Sequence, residues 1–150
     1  EAAAVLVFMP GTKEIDDCKN LLLRCPELSR EPEQRDWILP LHGSLPPEEQ
    51  RRVFVRPPRG ITKVVLATNV AETSVTIDDI GFVIDSGRVK EERYEASRRM
   101  ACLEDVVVSK ASAKQRRGRA GRVQEGIAIH LFTSDVEQNQ YTIPEVRRVA

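Results

Sequence analysis

The first apolar run of the chain is Val5-Leu6-Val7-Phe8-Met9, and Pro10-Gly11 closes it. A short continuous apolar run indicates a strand covered on both faces, as the strands of parallel sheets are. In residues 13–25, apolar side chains recur at spacings of three and four, which predicts an amphipathic helix that Pro26 ends. A strand followed directly by a helix is the unit from which α/β folds are built.

The same alternation continues along the chain. Buried strands are predicted at residues 37–41, 63–68, 82–85 and 126–132, with helices from Ser44 to about residue 55 and at residues 113–121. Residues 89–94 and 103–109 predict a projecting β-hairpin, and the charged residues 27–36 predict a surface connection. The pattern favours an α/β fold with a largely parallel sheet flanked by helices, and ligand sites beyond the carboxyl ends of its strands.

Composition limits the possible functions. The 150 residues have the size of one domain, and 23 basic residues balance 23 acidic ones, so any nucleic-acid site must be local. The three cysteines are unevenly spaced and have no paired histidines nearby, which argues against a disulfide framework and a zinc site, and no metal ligand is predicted. No apolar run approaches the ~20 residues that cross a bilayer. We expect a soluble cytoplasmic or nuclear protein without membrane contact.

The densest polar motif is Gln115-Arg116-Arg117-Gly118-Arg119-Ala120-Gly121-Arg122. At about 100° per residue, Gln115, Arg119 and Arg122 would fall within roughly 60° of one another on a helix. The two glycines each cost ~1 kcal/mol against alanine in a helix, so something must compensate for them, and close approach of a phosphate or of another domain would do so. The alternative is a solvated basic helix that contacts nothing, and the embedded glycines disfavour it.

These side chains suit phosphoryl transfer. Guanidinium groups are always ionised and bind two oxygens at once, which matches the charge on a transferring γ-phosphoryl group. Glutamine orients the attacking water in other NTPases. We therefore expect Gln115, Arg119 and Arg122 to be catalytic residues that act on a γ-phosphoryl group and its attacking water.

The motif, preceded by Ser109-Lys110-Ala111-Ser112-Ala113, resembles motif VI of the DEAH-box helicases of superfamily 2. Residues 63–77 are similar to their motif V, residues 6–11 to their motif IV, and residues 41–47 to the segment after their second strand. The resemblance is collinear from residue 5 to about residue 149. It implies a RecA-like domain, the second of the two in a DEAH-box RNA helicase.

The resemblance implies where a nucleotide binds. The glutamine and the two arginines named above match residues that reach the γ-phosphate and its water from across an interdomain cleft. Phe54 matches the aromatic residue on which adenine stacks, and Thr76 and Asp78 match groups near the ribose. For Phe54 the alternative is an ordinary core residue at the end of an amphipathic helix.

The resemblance also implies an RNA path. The positions that match groups holding RNA phosphates are Gly11, Ser44, Thr68 and Asn69. Small neutral donors approach a phosphate closely without adding charge, and they read the backbone rather than the bases. Arg88 and Lys90 resemble a loop beside the bases, and the hairpin that follows resembles the strand-separating hairpin of the family.

Two positions depart from the family pattern. Arg117 stands where a small residue is usual, and in helical projection it faces away from Gln115. Asp79 stands where glycine is common, which leaves the backbone shape of its loop open.

Some motifs are absent from the chain. It contains neither GxxxxGK[ST] nor Asp-Glu-Ala-His, so ATP with its Mg²⁺ is expected to be held by the first RecA-like domain, and the isolated domain is expected to be inactive. Both ends read as cut from something longer. The expected partners are therefore RNA, the first RecA-like domain and C-terminal accessory domains of the same chain, and an activator protein.

Two other functions compete with this one. A catalytically inactive adaptor with the helicase fold, binding RNA or protein, is disfavoured because Gln115, Arg119 and Arg122 are all intact. A stand-alone dinucleotide enzyme is disfavoured because no GxGxxG motif follows any strand.

Overall fold

The computed structural model describes residues 3–73, 75–121, 125–131 and 145–149. The strands there are β1 (Ala4–Phe8), β2 (Ile38–Leu41), β3 (Val64–Ala67), β4 (Ile80–Asp85), β5 (Arg88–Glu95), β6 (Met100–Val107), β7 (Gly126–His130) and β8 (Glu145–Val149). The α-helices are α1 (Thr12–Leu23), α2 (Pro26–Ser29), α3 (Pro47–Gln50) and α4 (Lys110–Arg117). Short 3₁₀ turns lie at Pro32–Trp37, Arg51–Phe54 and Asn69–Ala71.

Six strands form one sheet in the order β2-β3-β1-β4-β7-β8. All neighbouring pairs are parallel except β7 with β8. The register sets Phe8 opposite both Ala67 and Asp85, and Asp85 opposite His130, so these strands end at one border of the sheet. We call this border the carboxyl edge and the border where the parallel strands begin the amino edge. The predicted α/β fold with a largely parallel sheet is confirmed.

Both faces of the sheet bury apolar side chains. On one face α1 packs Ile15 against Ile38, Val64 and Leu66. On the other face the core is larger and includes Leu6, Phe8, Val65, Val83 and Ala128, covered by Val53, Ile77 and Ala120 from the connecting segments. Because successive strand residues point to opposite faces, burial on both sides explains why these strands read as unbroken apolar runs.

The predicted hairpin is confirmed as a separate two-stranded sheet. β5 and β6 pair antiparallel from Arg88 opposite Val107 to Glu95 opposite Met100. Gly87 has a φ of 74°, a left-handed conformation that suits glycine, at the point where the chain leaves β4 for the hairpin. Tyr94 and Leu103 are exposed, so the hairpin stands away from the main core.

Several boundaries differ from the predicted ones. The predicted surface connection at residues 27–36 contains α2 and a 3₁₀ turn, and the helix predicted from Ser44 to about residue 55 consists of α3 followed by a 3₁₀ turn. The helix predicted at residues 113–121 begins at Lys110, because the Ser109 side chain accepts a hydrogen bond from the Ser112 amide. It ends at Arg117 with Gly118 as its C-cap. The terminal segment supplies β8, which the sequence did not indicate as a strand.

Candidate nucleotide and RNA site

The residues predicted to contact RNA gather at the carboxyl edge. Gly11 follows β1, Ser44 follows β2, Thr68 and Asn69 follow β3, and Arg88 and Lys90 follow β4 at the start of the hairpin. The Thr68 amide donates to the Leu41 carbonyl at 3.1 Å, which joins the ends of two of these strands. The predicted RNA contacts therefore lie where the sequence predicted ligand sites, beyond the carboxyl ends of the strands.

Lys90 lies directly over Gly11. A β-carbon added to Gly11 would come within 2.9 Å of Lys90 Nζ, so the end of the lysine side chain would have to shift to make room for it. Lys90 Nζ also forms an ion pair with Glu14 of α1, 2.9 Å from Oε1. The hydrogen bond from Lys90 holds the pKa of Glu14 below its ordinary value. Two predicted RNA contacts that are far apart in sequence thus share one small site.

The other predicted RNA contacts are accessible. Ser44 and Asn69 are exposed, and Thr68 is half-buried. Arg88 Nε donates to Asp105 Oδ1 at 2.8 Å, an ion pair across the base of the hairpin in which each side chain is 44% exposed. A phosphate or base therefore has access to all of these side chains.

The residues predicted to contact nucleotide lie at the amino edge. Asp78 is exposed just before β4, and the carbonyl of its neighbour Asp79 accepts from the Ala4 amide at the start of β1. Thr76 is exposed in the same loop. Phe54 ends a 3₁₀ turn and is 48% exposed, so it is not the core residue that the alternative interpretation describes. The predicted nucleotide contacts therefore do not lie beyond the carboxyl ends of the strands, where the sequence predicted ligand sites.

Of the predicted catalytic residues, Gln115 and Arg119 do not lie on one helix. Gln115 is exposed in the last turn of α4, whereas Arg119 lies after the helix end and is half-buried. Arg119 Nη1 donates to the Val75 carbonyl at 3.4 Å, beside Thr76. The helical projection used for the prediction is therefore wrong beyond Arg117. Arg122 lies outside the described residues.

The segment after Arg119 lies at the amino edge too. A β-carbon on Gly126, the first residue of β7, would come within 2.5 Å of the Gly121 amide nitrogen and 2.9 Å of Ala120 Cβ. Gly126 therefore has to be glycine for this turn to pack against the strand. Because β4 and β7 run parallel, the turn lies on the same border of the sheet as Asp78.

Arg116, which the sequence did not single out, is a buried ionic centre. Its side chain is fully buried, with Nε 2.8 Å from Glu72 Oε1 and Nη1 2.8 Å from Asp85 Oδ1. Nη1 also donates to the Arg88 carbonyl at 3.2 Å, and Cζ lies 4.8 Å from the centre of the Phe8 ring. One guanidinium thus joins the end of β1, the segment after β3, the end of β4 and the hairpin.

The charge state of Asp85 follows from this cluster. Its burial acts to raise the pKa of the carboxyl group, but the imidazole of His130 and the charge of Arg116 more than offset it, so the pKa lies below its ordinary value. His130 Nδ1 lies 3.4 Å from Asp85 Oδ2. Asp85 is therefore ionised at neutral pH, as its pairing with a guanidinium requires.

Lys63 is a second buried cation that sequence reasoning missed. It precedes β3, has no exposed surface and lies 2.8 Å from Asp79 Oδ1. The family departure at Asp79, which left the loop shape open, is thereby explained, because its carboxylate is the counter-ion of a buried lysine. A lysine directly before an apolar strand, with an acid in the loop that follows the strand, is the sequence signal that could have indicated the pair.

In the described ranges of the chain, no group of three or more His, Cys, Asp or Glu residues could hold a metal ion. None of the helices found there combines the length and the apolar composition needed to span a membrane.

Comparison with known proteins places this geometry in context. Residues 1–124 match the family described as the helicase conserved C-terminal domain. Human DHX57 is 50% identical over 149 residues, which cover 97% of this chain and 11% of DHX57. The DExH-box ATP-dependent RNA helicase DExH4, chloroplastic, of Arabidopsis thaliana is 45% identical over 152 residues, which cover 99% of this chain and 11% of that protein.

A solved structure agrees with these matches. The crystal structure of the E. coli DExH-box NTPase HrpB is similar to this chain with a TM-score of 0.75 and 35% sequence identity, over 96% of this chain and 17% of that chain. The chain spans about a tenth of the length of the two relatives named above.

Proposed function

Because the chain belongs to the DEAH/RHA family of ATP-dependent RNA helicases, as their second RecA-like domain, we propose that it forms half of an ATP-driven motor. ATP binds between this domain and the first RecA-like domain, and the two move against each other when the γ-phosphate is lost. RNA held across both domains is thereby moved along.

The observation that carries this proposal is the hydrogen bond from Arg119 to the Val75 carbonyl. It brings the arginine-rich turn after α4 next to the loop that holds Thr76 and Asp78. Arg119 and Arg122 act as arginine fingers that stabilise charge on the γ-phosphoryl group, and Gln115 orients the attacking water. Arginine fingers contribute on the order of 10³–10⁵ in rate in other NTPases.

The amino edge fits one half of an ATP site. The half-exposed Phe54 ring offers a face on which adenine stacks, and Thr76 and Asp78 present polar groups for the ribose. The Mg²⁺ that accompanies ATP neutralises phosphate charge, and its ligands belong to the first RecA-like domain. This chain's contribution is to bind the base and ribose and to bring its arginines to the phosphates.

The carboxyl edge fits an RNA backbone. Gly11, Ser44, Thr68 and Asn69 hold phosphates through amides and hydroxyls, while Arg88 and Lys90 lie beside the bases and lead into the hairpin. Lys90 carries charge that Glu14 balances in the absence of RNA. Contacts of this kind predict weak dependence on RNA sequence.

Further expectations concern the rest of the protein. The isolated domain does not hydrolyse ATP, because the chain contains neither a phosphate-binding loop nor a DEAH sequence. C-terminal accessory domains and an activator protein are proposed partners. A cytoplasmic or nuclear location remains a prediction, and the name of the Arabidopsis relative DExH4 describes that protein as chloroplastic.

The test is to replace Arg119 and Arg122 separately by alanine in the full-length protein. RNA-stimulated ATP hydrolysis is expected to fall by at least about 10³-fold in each variant, with RNA affinity largely kept, because the arginines act on the γ-phosphate. Steady-state ATPase assays and RNA-binding titrations measure the two quantities. Arg117→Ala is the matched control, since it removes a neighbouring arginine that is not a proposed finger.

Two results would count against the proposal. Wild-type turnover in either finger variant refutes the assignment of that arginine. A full-length wild-type protein that binds RNA but hydrolyses no ATP favours the catalytically inactive adaptor instead.

A further inference from the structure

Lys63 uses its whole hydrogen-bonding capacity inside the protein. Its Nζ donates to the Val53 carbonyl at 2.6 Å, to the Val55 carbonyl at 3.0 Å and to Asp79 Oδ1 at 2.8 Å. An ammonium group has three N–H donors, so all of them are engaged. The four residues that follow it in β3 are apolar and buried. A lysine in this apolar setting costs desolvation, and its three hydrogen bonds offset that cost.

The partners of Lys63 surround the proposed nucleotide contacts. Val53 and Val55 are the two neighbours of Phe54, so the lysine binds the backbone on both sides of the aromatic residue. Asp79 is the neighbour of Asp78, and its own carbonyl accepts from the Ala4 amide of β1. The base contact and the ribose contact are thus both attached to one buried ammonium group.

The buried and exposed residues alternate in a way that suits this role. Val53 is fully buried in the core, whereas the next residue, Phe54, keeps 48% of its surface exposed. Asp79 is 8% exposed, whereas Asp78 beside it is open to solvent. Lys63 therefore binds the buried residue beside each proposed contact, and it also binds the carbonyl of Val55, which is exposed like Phe54.

We infer that Lys63 is a positioning residue of the nucleotide site: it holds Phe54 and Asp78 at the separation at which adenine and ribose bind together. The inference rests on the proposed function, because it presupposes that these two residues contact ATP. Lys63 itself does not contact the nucleotide. Loss of the Lys63 side chain therefore weakens recognition of the nucleoside and leaves recognition of the phosphates unchanged.

The experiment uses Lys63→Met in the full-length protein, since methionine fills a similar volume without charge. The KM for ATP is expected to rise about tenfold while kcat changes less than about twofold, because ground-state binding of the nucleoside is lost. Inhibition by inorganic tripolyphosphate, which has neither base nor ribose, is expected to stay the same. Lys19→Met, on α1 at the opposite face of the sheet, is the matched control and leaves all three values unchanged.

Phe54→Ala distinguishes a failure of the positioning role from a failure of the proposed base contact. If Phe54→Ala raises the KM for ATP and Lys63→Met does not, the positioning role is overturned and the proposed base contact stands. If Lys63→Met weakens ATP and tripolyphosphate equally, the lysine only maintains the fold, and the inference is again overturned. If Phe54→Ala leaves the KM unchanged, the proposed base contact is wrong and the inference falls with it.

Asp79→Asn repeats the test if Lys63→Met unfolds at the assay temperature. The asparagine keeps an oxygen that can accept from Lys63 but removes the counter-charge. A rise in the KM for ATP of about threefold, with tripolyphosphate inhibition unchanged, supports the positioning role, because a hydrogen bond to a charged group is stronger than one to a neutral group. An unchanged KM for ATP overturns it.

Discussion

Arg116 and Lys63 are fully buried cations at opposite edges of the same sheet, and their surroundings differ. Arg116, at the carboxyl edge, has two carboxylates as partners, from Glu72 and Asp85, as well as a carbonyl and the face of an aromatic ring. Lys63, at the amino edge, has one carboxylate, from Asp79, and two carbonyls.

The difference follows from the shapes of the two groups. A guanidinium is a planar fork with five donors, so it can join several segments at once, whereas an ammonium is a point charge with three donors. Arg116 accordingly connects the strand ends that precede the proposed RNA contacts to the base of the hairpin. Lys63 connects only the turn of Phe54 and the loop of Asp78. Each proposed ligand edge is thus organised around its own buried cation.

The largest expected effect is that of Arg116→Met. It leaves two carboxylates buried with no counter-charge, which costs about 3–5 kcal/mol of local stability. Lys63→Met is expected to cost about 2 kcal/mol, because it removes charged hydrogen bonds around one carboxylate rather than two. Hydrogen exchange of the β3, β4 and α4 amides in the full-length protein measures both. Equal losses of stability in the two variants would contradict the expected difference between the two buried cations.

A smaller effect is expected from acid. Because the pKa of Asp85 lies below its ordinary value of 3.8 in the folded protein, the unfolded chain takes up the proton first as the pH falls. The stability that Asp85 contributes is therefore present above about pH 4 and is lost as the pH drops through the folded pKa. Acid unfolding followed by circular dichroism is expected to be less steep below about pH 4 in Asp85→Asn. An unchanged slope would mean that other carboxylates control acid unfolding.

The smallest effect is expected at the exposed ion pair of Arg88 with Asp105. Both side chains are 44% exposed, so water screens the pair, and Asp105→Asn is expected to change stability by less than about 0.5 kcal/mol. Hydrogen exchange of the hairpin amides at low and high salt provides the measurement. A loss above about 1 kcal/mol would show that this surface pair anchors the hairpin as firmly as the buried cations hold the sheet.

Most of the fold could be predicted from local patterns. The apolar runs located β1 to β4 and β7, and the polar tip between two strand-like runs located the hairpin. The helix that carries Gln115 was predicted to end too late, because a helical projection assumes that the helix continues past Gly118. Its C-cap at Gly118 instead turns Arg119 toward the Val75 carbonyl, and no periodicity could reveal that contact.

The sequence predicted which residues belong to the candidate site, but it did not predict their positions relative to one another. Motif resemblance supplied the RNA and nucleotide candidates, but it did not separate them into two edges. That separation depends on which residues precede and which follow a strand in the assembled sheet. Thr68 follows β3 and Lys63 precedes it, so two residues five positions apart belong to different edges.

The sequence by itself determined β1 to β7 with their hairpin, α1 and the family, because apolar periodicity and motif spacing are local properties of the chain. Only the tertiary structure decided the partners of the buried cations. Arg116 meets Glu72 across 44 residues and Asp85 across 31, and Lys63 meets Asp79 across 16. The physical reason is that a buried charge is neutralised by whichever carboxylate the packed sheet brings within hydrogen-bond distance, and the order of the strands is not a local property of the sequence.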